Sequence, residues 1–262
     1  MILVADNVNA LNPVVRDAME SSDGDAIARL VKQCEDAGAQ AIDINFGYLS
    51  RRRLDRAEFL VNAVQDASRL PLILDSPNPE ILARGLAVCR DTPILNALSL
   101  EPAKVESIIP LAAEHQARLV ILLMDERSFS PPTAEEKISL ALTLADYAQN
   151  GGVPLESLIF DPVLPNMSWA DARARTAEDL KAVRLLSGGA VFQDPVRTMI
   201  GLSNLRSGMR RTVPPETEDT CLALFAGSGL DYLLADVLRP GFRSTYNSVS
   251  SFIGLGLNDD SA

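Results

Sequence analysis

The sequence predicts an α/β protein, a single-domain (β/α)8 TIM barrel, and three observations predict it. Eight short apolar segments, rich in Ile, Leu and Val, are each followed by a stretch with helical periodicity. The 262 residues match the roughly 250 that one such barrel needs. Strand candidates repeatedly end on Asp or Asn, namely Asp43 and Asn45, Asp75, Asn96 and Asp161, at the end of a strand where barrels gather ligand groups. A doubly wound open sheet is the alternative. It would concentrate such residues at one switch point instead of after nearly every strand.

Taken in order, Ile2 to Ala5 is the first strand, and Asp6-Asn7-Val8-Asn9 places three polar side chains behind it. Ile27, Leu30, Val31 and Cys34 share one face of a helix over Asp25 to Ala37, which Gly38 stops. Alternating β-branched residues make Ala41 to Asn45 the second strand, followed by Gly47, a loop carrying Arg51-Arg52-Arg53, and a helix from Leu54 to Ala67. Leu72 to Leu74 is the third strand, with Pro77 and Pro79 shaping its exit into a helix from Glu80 to Cys89. The fourth unit pairs a strand at Ile94 to Ala97 with a helix at Ala103 to Glu114.

Arg118 to Met124 is a continuous apolar run after its first residue, as expected of a strand covered on both faces. Pro131-Pro132 then breaks the chain, and Thr133 with Glu136 has the spacing of a capping box for a helix reaching about Gln149. Leu158 to Phe160 is the sixth strand, followed by the proline-rich segment Asp161 to Met167 and a helix at Ala177 to Leu186. The seventh strand, Thr198 to Leu202, runs directly into Ser203-Asn204 and the basic residues Arg206, Arg210 and Arg211. A helix at Glu218 to Ala226, the strand Tyr232 to Ala235 and a helix at Thr245 to Ile253 complete a domain over 1–262 with a polar tail, 258–262.

Composition narrows the chemistry. A net charge of -11 argues against a nucleic-acid partner, which needs a concentrated basic surface. No apolar run approaches the roughly 20 residues of a membrane span, and Met1-Ile-Leu-Val4 lacks the basic start of a secretory signal, so the cytoplasm is the expected location. Cys34, Cys89 and Cys221 are scattered and read as buried thiols. His115 is the only histidine, which removes a Ser-His-Asp triad and multi-histidine metal centres, and its position suggests a structural or solvent-facing residue. There is no Walker A sequence, and Gly254-Leu-Gly256 is not a dinucleotide fingerprint. A magnesium ion shared by Asp43, Asp75 and Asp161 is one reading of these carboxylates, but the surrounding carboxamides favour another ligand. Carboxylates accept from ring N–H and amino groups while carboxamides offer a donor and an acceptor together, so the set suits a neutral, nitrogen-rich heterocycle. The competing reading is that each is a strand-end cap bonded to local backbone.

The pieces Ala41-Ile-Asp-Ile-Asn-Phe-Gly47, Leu74-Asp-Ser76, Leu95-Asn96, Phe160-Asp-Pro162 and Gly201-Leu-Ser-Asn204, in this order and spacing, resemble the pterin-binding methyltransferases. These are the methyltetrahydrofolate:corrinoid protein methyltransferases and the folate module of cobalamin-dependent methionine synthase. The resemblance implies a pterin held at the C-terminal mouth, with Asp75, Asn96 and Asp161 bonding its ring and Asn204 acting at N5 as the catalytic hydrogen-bond donor. Gly201, Ser203, Asn9, Asp43 and Ser207 complete the candidate substrate site. Methyltetrahydrofolate or tetrahydrofolate is the implied substrate, cobalamin arrives on a partner corrinoid protein, and the implied assembly is a homodimer. With one histidine and scattered cysteines, no metal is expected on this chain. The Arg51–Arg53 and Arg206, Arg210, Arg211 groups are expected to rim the mouth, for an acidic partner or a folate glutamate tail.

Two places depart from the family pattern. Ala5-Asp-Asn-Val-Asn9 stands where relatives carry Gly-Glu-Arg-hydrophobic-Asn, and Ser207 stands where they tend to have glutamine. Two other functions are weighed. Dihydropteroate synthase is similar in fold and pterin site but carries phosphate-binding residues where this chain has Asn7-Val-Asn-Ala-Leu11, Ser203-Asn-Leu-Arg206 and Leu234-Ala-Asp236. A non-catalytic pterin-binding subunit is the second.

Overall fold

A computed structural model describes residues 1–47, 49, 53–209 and 213–256. Eight parallel strands close into a barrel in chain order: β1 (Ile2–Asn9), β2 (Ala41–Asn45), β3 (Leu72–Asp75), β4 (Ile94–Leu98), β5 (Arg118–Leu122), β6 (Leu158–Asp161), β7 (Arg197–Gly201) and β8 (Tyr232–Ala235). The helices around it are α1 (Pro13–Ser21), α2 (Gly24–Asp36), α3 (Asp55–Ala67), α4 (Pro79–Leu86), α5 (Pro102–Glu114), α6 (Ala134–Asn150), α7 (Ala172–Ser187), α8 (Pro215–Ala226) and α9 (Phe242–Gly256). The expected fold class is therefore the observed one.

Residues within a strand alternate between two apolar layers. One layer fills the barrel axis with Val4, Ala41, Ile73, Ile94, Val120, Ile159, Met199, Tyr232 and neighbours, while the larger one packs strands against helices. Arg118 Nη1 donates to Tyr232 Oη at 3.2 Å between two strands that face across the barrel. Because side chains repeat every two residues along a strand, the position two beyond each axial residue also points inward, one layer nearer the C-terminal mouth. Those positions are Asp6, Asp43, Asp75, Asn96, Leu122, Asp161, Gly201 and, after β8, Asp236 above Leu234. The apolar core thus gives way abruptly to a polar layer.

Several boundaries differ from expectation for identifiable reasons. β1 continues to Asn9 because its register against β2 slips between Ala5 and Val8, a bulge that absorbs the polar pair Asp6-Asn7. α1 has only Val15, Ala18 and Met19 buried, too short a stripe for periodicity to reveal; Asn12 starts it by accepting from the Val14 amide at 3.0 Å. α4 stops at Leu86, short of the expected Cys89, and Gln65 Nε2 takes up the Val88 carbonyl at 2.7 Å. α7 begins at Ala172, not Ala177, with Arg175 bonded to Asp171 and packed over Phe129 and Trp169. The capping box of Thr133 and Glu136 forms as expected. Cys34 and Cys221 are buried, Cys89 is half-buried, and His115 is exposed at the end of α5. No helix among the described residues is long and apolar enough to cross a membrane. The tail 258–262 lies outside the described residues.

Candidate functional site

The strand ends open into a cavity of about 720 Å³ at the C-terminal mouth, within the usual range for a small-molecule site. Asn9, Asp43, Asp75, Asn96, Asp161, Gly201, Ser203, Asn204 and Ser207 all line it. The structure therefore brings every candidate site residue from the sequence into one place.

Strand register explains the convergence. Asn45 pairs with Asp75 across β2 and β3, and Asp75 pairs with Asn96 across β3 and β4, so the three stand side by side at one height. Asn45 Nδ2 donates to Asp75 Oδ2 at 2.5 Å and its Oδ1 accepts from the Gly47 amide at 3.0 Å, which fixes the orientation of the carboxamide. On the far side, Asp161 Oδ1 accepts from the Val163 amide at 2.7 Å. Asn204 stands on a 3-10 turn, Leu202–Arg206, anchored by the buried Leu202 and Leu205. The Met167 amide bonds to the Leu205 carbonyl at 3.0 Å, and Asn166 Nδ2 bonds to the Ser207 carbonyl, tying that turn to the loop after β6. A Cβ on Gly201 would lie 3.6 Å from Asn204 Nδ2, so any longer side chain at 201 would compete with the carboxamide for space.

The cavity floor is rich in hydrogen-bond acceptors. Asp43 is 1% exposed and neither carboxylate oxygen has a hydrogen-bond partner among the described residues; the Asn96 amide lies near without reaching bonding geometry. Burial, then the charges of Asp75 and Asp6, hold its carboxyl well above the usual range. Burial also raises Asp75, against the opposing pull of the Asn45 bond and the Lys104 charge. Asp161 is pushed up to about 7 by burial, which outweighs the Val163 amide. Asp6 rises to about 6 through burial and the charge of Asp236, offset by Arg206 and by the Ser203 hydroxyl beside it. Removing carboxylates from water is unfavourable unless donors replace the lost hydration. A ligand with several N–H groups supplies those donors. No cluster of three or more His, Cys, Asp or Glu suited to a metal occurs among the described residues.

Among the charged residues that line the cavity, Asp6, Asp236 and Lys104 are not in the candidate set that the sequence supplies. The two acids had a readable signal, since each stands two residues after an axial apolar position; Lys104 had none, because it reaches the mouth from the first turn of α5. There its ammonium bonds to Glu101 Oε1 at 2.8 Å and Ser99 Oγ at 3.2 Å. Arg206 does line the mouth, but its charge is engaged: Nε lies 2.9 Å from Glu218 Oε1, and Arg239 holds the other oxygen of Glu218 at 3.2 Å. Arg53 is 3.9 Å from Glu20. Arg51, Arg52, Arg210 and Arg211 lie outside the described residues.

Known proteins resemble this chain at several levels. It is 27% identical over 235 residues to a methylcorrinoid:tetrahydrofolate methyltransferase of Eubacterium limosum, covering 87% of this chain and 82% of that protein. It is 25% identical over 240 residues to methionine synthase of Mycobacterium leprae (strain TN), covering 88% of this chain but 20% of that much longer protein. Among solved structures, a dihydropteroate synthase of Xanthomonas albilineans with 4-aminobenzoic acid superimposes with a TM-score of 0.70 over 97% of this chain and 92% of the other, at 16% identity, a likeness of fold alone. Residues 8–231 match the family described as "Pterin binding enzyme", a span that contains Asp43, Asp75, Asn96, Asp161 and Asn204. The chain belongs to the pterin-binding enzyme family.

Proposed function

We propose that the protein is a methyltransferase moving a methyl group between N5 of tetrahydrofolate and the cobalt of a corrinoid carried by a separate protein. The observation that carries this reading is the single cavity in which half-buried Asp75 and buried Asn96 and Asp161 stand together with Asn204 on its glycine-preceded turn. The similarity to the Eubacterium limosum methyltransferase supports it over most of both chains. Asp75 and Asp161 accept ring N–H and amino donors, and the Asn96 carboxamide supplies a donor beside an acceptor. Breaking the N5–methyl bond leaves an amide-like nitrogen, a poor leaving group, so catalysis requires a donor whose hydrogen bond strengthens as charge develops there. Asn204 fills that role as a hydrogen-bond donor, and the proton that N5 gains as the methyl group leaves comes from water. The corrinoid supplies the cobalt that gives or takes the methyl group, and no Ser, Cys or Lys nucleophile of this chain is needed.

The test is to mix anaerobically prepared cob(I)alamin with methyltetrahydrofolate and follow its absorbance with and without the protein. Protein-dependent conversion to methylcobalamin is expected. Pterin binding without turnover would instead favour a non-catalytic pterin-binding subunit.

Asp75→Ala and Asp161→Ala are expected to weaken tetrahydrofolate binding by about 1.5–3 kcal/mol each, the value of a charged hydrogen bond. Because burial raises the Asp161 carboxyl to about 7 in the empty site, and a ligand N–H needs it ionised, affinity should also fall as pH drops below that value and binding should release protons there. Calorimetric titration checks both; unchanged affinity in the two variants would reduce these carboxylates to strand-end caps.

A further inference from the structure

Directly behind Asp161, away from the cavity, lies a charged pair that the reaction as described does not use. Lys137 of α6 and Asp179 of α7 form an ion pair at 2.8 Å with side-chain exposures of 2% and 0%. A sealed pair of this kind is a poor source of stability, because desolvating two charges offsets their attraction. Joining α6 to α7 would need nothing more than apolar packing. The other bonds of Lys137 are more telling, since its ammonium donates to Ser130 Oγ at 2.5 Å and to the Pro162 carbonyl at 2.6 Å. Asp179 faces the same ammonium as a charge contact, neither of its oxygens having a hydrogen-bond partner among the described residues, so the directional bonds of Lys137 go to Ser130 and Pro162. Ser130 Oγ also donates to the Pro162 carbonyl, at 3.0 Å.

Pro162 separates Asp161 from Val163, whose amide caps Asp161 Oδ1 at 2.7 Å. Val163 has φ of 64°, a left-handed conformation that a β-branched residue adopts only when its surroundings impose it. We propose that the buried Lys137–Asp179 pair is a positioning element for Asp161: Lys137 pins the Pro162 carbonyl, which keeps the Val163 amide on one carboxylate oxygen and leaves the other for a ligand. That last step rests on the reading of Asp161 as a pterin acceptor. The loop after β5 is fastened to the same point, because Arg175 donates to the Ser130 carbonyl at 3.1 Å while stacked between Phe129 and Trp169. The charged groups acting on Asp161 are Asp179 and Lys137, and those acting on Asp179 are Lys137, Arg175 and Glu178.

The test follows Asp161 itself in the unliganded protein, by carbon-13 NMR titration of its carboxyl group with Asp161→Asn for assignment, together with hydrogen exchange of the Val163 amide. Asp179→Asn removes a facing negative charge while leaving the bonds to Ser130 and Pro162, so the Asp161 midpoint should fall. Lys137→Met combined with Asp179→Asn leaves no unpaired buried charge but releases the Pro162 carbonyl. In that variant the midpoint should rise above wild type, Val163 exchange should accelerate, and the tetrahydrofolate dissociation constant should increase about 10-fold. If the double variant does not fold, Ser130→Ala should show a smaller shift in the same upward direction. Midpoints moving the same way in both Asp179 variants, or an unchanged Val163 amide after release of the carbonyl, would overturn the proposal and leave a helix-to-helix strut. Should wild type bind no reduced pterin, the proposed function fails, while the carboxyl titration still decides the positioning role.

Discussion

Asn204→Ala is expected to lower the single-turnover rate of methyl transfer by about 10²- to 10³-fold, while pterin affinity changes by no more than a few fold. In the proposed reaction the ground-state contacts are assigned to Asp75, Asn96 and Asp161 on β3, β4 and β6, whereas Asn204 follows β7 on a separate turn. N5 of the methylated substrate carries little charge, so a hydrogen bond to it is weak until the methyl group departs. Deleting that donor therefore removes stabilisation mainly from the transition state. The turn should survive the change, because Leu202 and Leu205 anchor it and the Ser207 carbonyl stays bonded to Asn166. Rates near wild type at saturating methyltetrahydrofolate would remove Asn204 from the chemistry.

Lys137→Met alone is expected to cost about 3–5 kcal/mol of folding stability at pH 8, the penalty for leaving a buried charge without its partner. The sign of the pH dependence follows from Asp179, which burial already raises to about 6 despite the opposing pull of Lys137. Loss of that cation raises it further. An acid raised in the folded state favours folding below its unfolded value, and this advantage is lost as pH rises through the folded one. The deficit of Lys137→Met should therefore be largest at pH 8 and shrink as the solution is made acidic enough to protonate Asp179. Urea unfolding at several pH values measures it; a deficit below about 1 kcal/mol at pH 8 would mean that water reaches the pair.

The period-2 rule made much of the candidate site readable. Asp43, Asp75, Asn96 and Asp161 each stand two residues beyond an apolar axial position, so strand identification alone places them on one inward face. Asp6 and Asp236 obey the same rule. Asp6 follows Ala5 in the sequence as Asp161 follows Phe160, but the bulge on which it stands is a property of pairing with β2. α1 is not legible in the sequence because a nine-residue helix with three buried residues carries almost no periodic signal.

The order of strands and helices, the acceptor-rich character of the mouth and the family resemblance of the Gly201-Leu-Ser-Asn204 turn were determined by the sequence, since each depends on local periodicity or on a short motif. Tertiary structure alone decided which charges are spent. Arg206 reads as a free basic group until Glu218, brought in by α8, neutralises it at 2.9 Å. Lys137 reads as one more polar helix residue until Asp179, Ser130 and Pro162 close around it. The physical reason is common to both: a strand's periodicity fixes which way a side chain points, whereas its partner and its access to water depend on elements tens of residues away that meet only when the barrel closes.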